Sequence, residues 1–141
     1  MKNKSINKNI LINLYFFAFS LLLTFLYLGK DNLGIYDFNW LFYGDASSDL
    51  INWLNFKNAD WMFPIGKYKN GDLGENSIVF TGAIPLLSII SKILFKNLDN
   101  FHFFNIWIFL CFYLQYLFSF LILKKFLKNN FVSLISALFF V

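Results

Sequence analysis

Residues 103–123 read FFNIWIFLCFYLQYLFSFLIL, twenty-one residues without a charge, and Lys124, Lys125 and Lys128 follow at once. A helix rising about 1.5 Å per residue covers about 31 Å over that run, enough to cross a bilayer core of about 30 Å. Ile10 to Leu28 supplies a second run, 19 residues with no charge, preceded by Lys2, Lys4 and Lys8. That run is longer than the apolar core of a usual signal peptide and no small-x-small cleavage site follows it, so it reads as an uncleaved anchor. A third apolar run begins at Phe131 and reaches Val141, the start of a further span that the sequence leaves incomplete.

Composition points the same way. Of the 141 residues, 58% are hydrophobic and only 14% charged, against about 25% charged in an ordinary soluble domain. So few charges do not cover a water-facing surface, and the excess apolar area needs lipid or other helices to face. Every basic residue is Lys, alongside abundant Asn, Ile and Phe. This is the mark of an AT-rich coding sequence more than of a nucleic-acid partner, and no base-reading motif accompanies it. The lone Cys111 excludes a disulfide framework within the chain.

Charge placement sets the orientation. The first 29 residues and residues 124–128 each carry three Lys and no acid, whereas residues 30–99 hold six Lys and all eight acids, a net of −2. The positive-inside rule then predicts a cytoplasmic tail 1–9, a first span 10–28, an outer segment 29–102, a second span 103–123 and a cytoplasmic turn 124–130. The expected class is an all-α, multi-pass membrane protein, partnered by the lipid bilayer. Tyr27, Trp40, Tyr43, Trp53 and Trp61 suit its outer aromatic belt.

Within the outer segment, residues 45–56 predict a short amphipathic helix. Asp45, Asp49 and Asn52 share one face and Leu50, Trp53, Leu54 and Phe56 form the apolar stripe. Such a helix lies along the membrane with its carboxylates toward water. Residues 78–96 are apolar enough to span, but Thr81, Pro85, Ser88, Lys92 and Lys96 trace one polar stripe. A crossing here would place Lys124 to Lys128 outside, so the segment reads as a second interfacial or re-entrant helix. Phe63-Pro64-Ile65-Gly66 punctuates the chain between them, and Asn70-Gly71-Asp72 signals a turn.

Two carboxylates one helical turn apart, Asp45 and Asp49, are the candidate chemical site. One can serve as general base while the other holds a cation or a basic group. The plainer reading makes Asp45 the N-cap of its helix and leaves Asp49 facing solvent. His102 reads as an interfacial polar residue at the mouth of the second span. Gln115 reads as a hydrogen-bonding partner for a neighbouring helix. Asp72 and Glu75 belong to a glycine-rich turn, and Asp99 to a polar linker. No phosphate loop, dinucleotide fingerprint, HExxH or CxxC occurs.

An ordered series of short motifs carries a resemblance across roughly residues 40–125. Gly44-Asp45 precedes Trp53, and an aromatic-Pro-hydrophobic-Gly element follows as Trp61, Phe63, Pro64, Ile65 and Gly66. Ser77, Ile78, Phe80 and Thr81 then lead into Ile84-Pro85-Leu86-Leu87, and the second span contributes Trp107, Leu110, Cys111, Phe112, Leu114 and Gln115. This pattern resembles a family of bacterial multi-pass membrane proteins similar in architecture to GT-C glycosyltransferases. The resemblance implies the first helices of a GT-C-like bundle with juxtamembrane helices in a long first outer loop. It implies transfer of a sugar from a polyprenyl-phosphate-linked donor to an envelope acceptor on the outer side, with Asp45 as the base. Some such enzymes place a divalent cation on the leaving phosphate. Two positions depart from the pattern: Asp49 stands where a His is expected, and Gly82 where an Asp is expected after Thr81. The competing reading is a non-catalytic multi-pass protein, such as a transporter, a flippase component or an assembly partner in envelope polysaccharide synthesis. The absence of charge from both complete spans weighs against transport.

Overall fold

A computed structural model describes residues 2–69 and 74–141, with side chains from Leu11 onward. The expected turn Asn70-Gly71-Asp72 and the side chains of Lys2, Lys4 and Lys8 lie outside the described residues. The chain divides into two compact units, one made of residues 1–33 and 105–141, the other of residues 34–104.

The first unit is helical. Helix α1 runs Lys2–Leu28, so the tail expected to precede the first span is itself helical from Lys2. Gly29 ends it with φ 77°, and its amide donates to Phe25 O at 2.9 Å. The Asn32 side chain donates to the Leu28 carbonyl at 2.8 Å, satisfying one of the orphan acceptors at the helix end. Helix α4 runs Phe104–Phe126, continuing through Lys124 and Lys125 and shortening the expected 124–130 turn to three residues. Lysines are favourable in a last helical turn, where the macrodipole is negative. Asn129 caps α5, Asn130–Ala137, by accepting from the Phe131 amide at 2.9 Å.

Phe16, Tyr116, Phe120 and Ala137 form the core of this unit. The Phe16 ring meets Tyr116 edge-on at 4.7 Å and Phe120 at 5.1 Å. Most of the remaining apolar surface is uncovered. Only 22% of Leu11–Leu28 and 11% of Phe104–Phe126 is buried, and both stretches are long and apolar enough to cross a membrane. A helix from the core of a soluble protein would be covered over most of its length.

The second unit replaces the expected loop with a folded core. Helix α2 spans Asp45–Asn58 and buries Leu50, Trp53, Phe56 and Lys57. Its apolar stripe is therefore covered by protein and does not rest on the membrane. Strands β1, Lys67–Lys69, and β2, Glu75–Ser77, pair antiparallel with Tyr68 opposite Asn76. The described residues are mostly helical, as expected, and this short hairpin is their departure from an all-α class; in it Tyr68 points inward, fully buried, while Lys69 faces out. Gly66 enters it at φ 103°, a conformation that favours glycine.

The expected continuous helix 78–96 is broken. Residues Ile78–Phe80 form a single 3-10 turn and α3 runs only Pro85–Phe95. Pro85 explains the break. Its ring clashes with a preceding helical turn, and it disfavours helical backbone at Ile84, which sits at φ 50°. Eleven residues rise about 16 Å, half a bilayer core, so α3 is not a span. Its sidedness also differs from expectation. Ser88, Ser91 and Lys92 are buried, while Leu86, Ile93 and Leu94 are 70%, 66% and 64% exposed.

Candidate functional site

The candidate site lies where the start of α2 meets the turn after Phe80. Gly44, at φ 61°, turns the chain into the helix. Ser47 Oγ donates to Gly44 O at 2.7 Å and Ser48 Oγ to Asp45 O at 2.8 Å, tightening the first turn. Asp45 is the first helical residue and not the N-cap, a position held by Gly44 without any side-chain cap. Its carboxylate is exposed in the first turn, where the helix dipole favours negative charge.

Asp49, one turn on, is half-buried. Its carboxylate abuts Gly82: a Cβ at residue 82 would come 2.8 Å from Asp49 Cγ and 2.9 Å from Oδ2, and closer still to Oδ1. The structure thus brings together the two positions that depart from the resembled pattern. Beside them, Thr81 Oγ1 donates to Ile78 O at 2.8 Å and accepts from the Ala83 amide at 3.4 Å, which fixes the turn. Burial raises the Asp49 carboxyl above the usual range, and the nearby charge of Asp45 raises it further. That environment suits a proton acceptor better than an exposed carboxylate does.

Among the described residues no group of three or more His, Cys, Asp or Glu comes together as a metal-ligand set. Asp45 and Asp49 supply carboxylate oxygens of the type a hard cation takes. A cation there would draw its remaining ligands from water and phosphate oxygens, in the manner of magnesium.

The other expected residues are structural. His102 is fully buried, not interfacial. Its backbone amide donates to Ile35 O at 3.0 Å and its Nε2–H to Asp37 O at 2.8 Å, tying residues 34–39 to the end of the unit. Burial lowers its pKa, countered in part by the carbonyls of Asp37 and Gly34 and by the Asp37 charge. Trp53 is fully buried too, and so leaves the aromatic belt; Tyr27, Tyr43 and Trp61 remain exposed. Glu75 pairs with Lys67 at 3.3 Å on the hairpin surface. Asp99 is exposed and sits close enough to Lys57 to favour its charged form. Gln115 donates to the carbonyl of Phe140, the expected hydrogen bond to a neighbouring segment. Cys111 is a free thiol.

Two lysines are buried: Lys92, which was expected on a polar stripe, and Lys57, which the sequence did not single out. Lys92 Nζ donates to Phe56 O at 2.7 Å and to Ala59 O at 2.9 Å. It lies over the rings of Phe56 and Trp61 at 4.3 and 4.5 Å. Burial and the neighbouring Lys96 push its pKa down to about 8 against the pull of Asp60, so it remains charged at neutral pH. Lys57 Nζ donates to the carbonyl of Leu98. Both ammonium groups serve the backbone, Lys92 by covering carbonyls at the C-terminal end of α2.

Residues 16–141 match a family model described as a domain of unknown function, DUF6311. The match covers most of the chain, and the chain belongs to that family. No curated protein gives a significant match, and neither does any solved structure.

Proposed function

We propose that this member of the DUF6311 family belongs to a membrane glycosyltransferase of the inner membrane. In this reading α1 and α4 cross the bilayer, the N-terminus is cytoplasmic and unit 34–104 lies outside. The enzyme transfers a sugar from a polyprenyl-phosphate-linked donor to an envelope acceptor. The observation that carries the reading is the Asp45–Asp49 pair, two carboxylates one turn apart with Asp49 packed against Gly82 and its pKa raised. The resemblance in the order of the sequence motifs supports it, as do the two acid-free lysine clusters on either side of the segment that holds all the acids.

The chemistry follows from the pair. Asp49 accepts the proton of the acceptor hydroxyl as that oxygen bonds to the anomeric carbon. The bond from that carbon to the lipid phosphate breaks, the phosphate oxygen keeps the electron pair, and the anomeric centre inverts. Asp45, one turn earlier on α2, raises the proton affinity of Asp49 through its nearby charge. A divalent cation, where one binds, would neutralise charge on the leaving phosphate. Holding a base close to the bilayer lets a lipid-borne donor and a water-side acceptor meet in one place, which supplies proximity.

The test is sugar transfer in membranes holding the full-length protein with Asp49→Asn or Asp45→Asn. Asp49→Asn is expected to lose about 10²- to 10⁴-fold in rate, the usual contribution of a general base, with unchanged membrane insertion. Asp45→Asn is expected to lose less. Full transfer by Asp49→Asn removes the proposed base. A cysteine at Asn58 that reacts only from the cytosolic side would put the pair on the wrong face.

A further inference from the structure

We infer that unit 34–104 docks onto the bilayer surface through the outward face of α3 and the turn around Phe63, a face built to be immersed in lipid. Helix α3 has the reverse of a soluble helix's sidedness. Its buried side carries Ser88, Ser91 and Lys92, and its outer side carries Leu86, Ile93 and Leu94. Ser88 Oγ donates inward to the Ala83 carbonyl and Lys92 inward to Phe56 and Ala59, so these two groups find protein partners on the buried side. A helix that faced water would turn the lysine outward and the aliphatic residues inward.

The same face extends beyond α3. Phe63 is 91% exposed and Ile65 65% exposed. An open groove of about 560 Å³ joins the Phe63 turn to the helix, its apolar wall made by Trp61, Ile65, Ile89 and Ile93 and the rest by Lys92, Lys96 and Asn97. Apolar side chains with lysines beside them fit acyl chains next to anionic headgroups.

Chain continuity names the occupant. The unit begins at Gly34, a few residues after α1 ends at Leu28, and α4 starts at Phe104 where the unit ends. Both ends are therefore tethered to the two helices long enough to cross a membrane, and the nearest apolar phase is the bilayer they enter. The inference rests on the membrane-anchored part of the proposed function and is independent of the transfer chemistry.

Spin labels test it. In the full chain with Cys111→Ser, single cysteines replace Phe63, Leu94, Lys69 and Leu114, and the protein is placed in vesicles of phosphatidylethanolamine and phosphatidylglycerol. Collision with oxygen and with a water-soluble nickel chelate is then compared. Labels at 63 and 94 are expected to favour oxygen over nickel several-fold, as the label at 114 in α4 does, whereas the label at 69 on the hairpin favours nickel. If 63 and 94 behave like 69 while 114 stays in lipid, docking is overturned and anchoring stands. Protection of 63 and 94 from both reagents means that protein covers this face, which also overturns the inference. Nickel access at 114 as well would overturn docking together with the anchored reading.

Discussion

The carboxylate of Asp49 occupies the space that the first side-chain carbon of residue 82 would need. A Cβ built on Gly82 falls within 2.9 Å of Asp49 Cγ and Oδ2, closer than carbon and oxygen approach without displacement. Glycine at 82 and a carboxylate at 49 are therefore one arrangement, and each position limits the other.

Gly82→Ala is expected to turn the half-exposed Asp49 carboxylate aside at a cost on the order of 1 kcal/mol, the range for a side chain forced from its rotamer. Asp49→Ala alone removes a partly buried charge and is expected to change stability by less than about 1 kcal/mol, since a half-exposed carboxylate is screened by solvent. The double variant Asp49→Ala, Gly82→Ala is expected to recover most of the loss. Denaturant unfolding of the four proteins completes a double-mutant cycle, and a coupling energy near zero would mean that the two residues do not touch.

Little of this contact was legible in the sequence. Residues 49 and 82 sit on separate elements far apart in the chain, and no local pattern links them. The long helices α1 and α4 were legible because runs of 19 and 21 uncharged residues have few alternatives. Periodicity found α2 and the polar stripe of 81–96, yet it reports which residues share a face and not what covers that face. Trp53 and Lys92 were misread for this reason: one was expected at the membrane and the other in water, and both are core residues. The break before α3 was missed, although Ile84-Pro85 carries its signal, a helix start with Pro at its first position. Strand β1 is three residues long, too short for alternation to stand out.

Lys92→Met tests whether the buried ammonium holds the end of α2. The variant keeps most of the side-chain volume but leaves the carbonyls of Phe56 and Ala59 without this donor. Each orphaned acceptor costs about 1–3 kcal/mol, offset in part by relief of a desolvated charge. A net loss is expected, with faster amide exchange confined to the last turn of α2, residues 55–58. Wild-type exchange rates in that turn would show that the ammonium is not needed there.

The same lysine makes stability depend on pH. In the unfolded chain Lys92 titrates near its ordinary 10.5 and in the folded unit near about 8. Between those values the unfolded state holds the proton and the folded state has lost it. Stability therefore rises with pH from about 8 toward 10.5, by at most about 1.4 kcal/mol per pH unit for one proton. Lys57, whose pKa burial also lowers, adds in the same direction. Unfolding midpoints across that window are expected to climb in the native chain and to flatten in Lys92→Met. A native slope that falls with pH would contradict the burial of both lysines.

Trp53 and Trp61 separate the core of this unit from its outward face. Trp53 is fully buried, donates from Nε1 to Phe101 O at 3.2 Å and meets the Phe103 ring edge-on at 5.1 Å. Trp53→Phe leaves that buried carbonyl without its donor and opens a void, so a loss of about 2–4 kcal/mol is expected. Trp61 is 44% exposed and uses its ring face on Lys92 and an edge contact to Phe56. Phenylalanine supplies both contacts, so Trp61→Phe is expected to cost less than about 1 kcal/mol. Near-ultraviolet circular dichroism gives a second reading of the pair, because a rigid buried indole contributes strongly and a mobile exposed one weakly. The indole part of the signal is expected to fall clearly in Trp53→Phe, where three other tryptophans remain, and to change little in Trp61→Phe. Equal losses in both variants would place the two rings in equivalent surroundings, as a shared place in an aromatic belt requires.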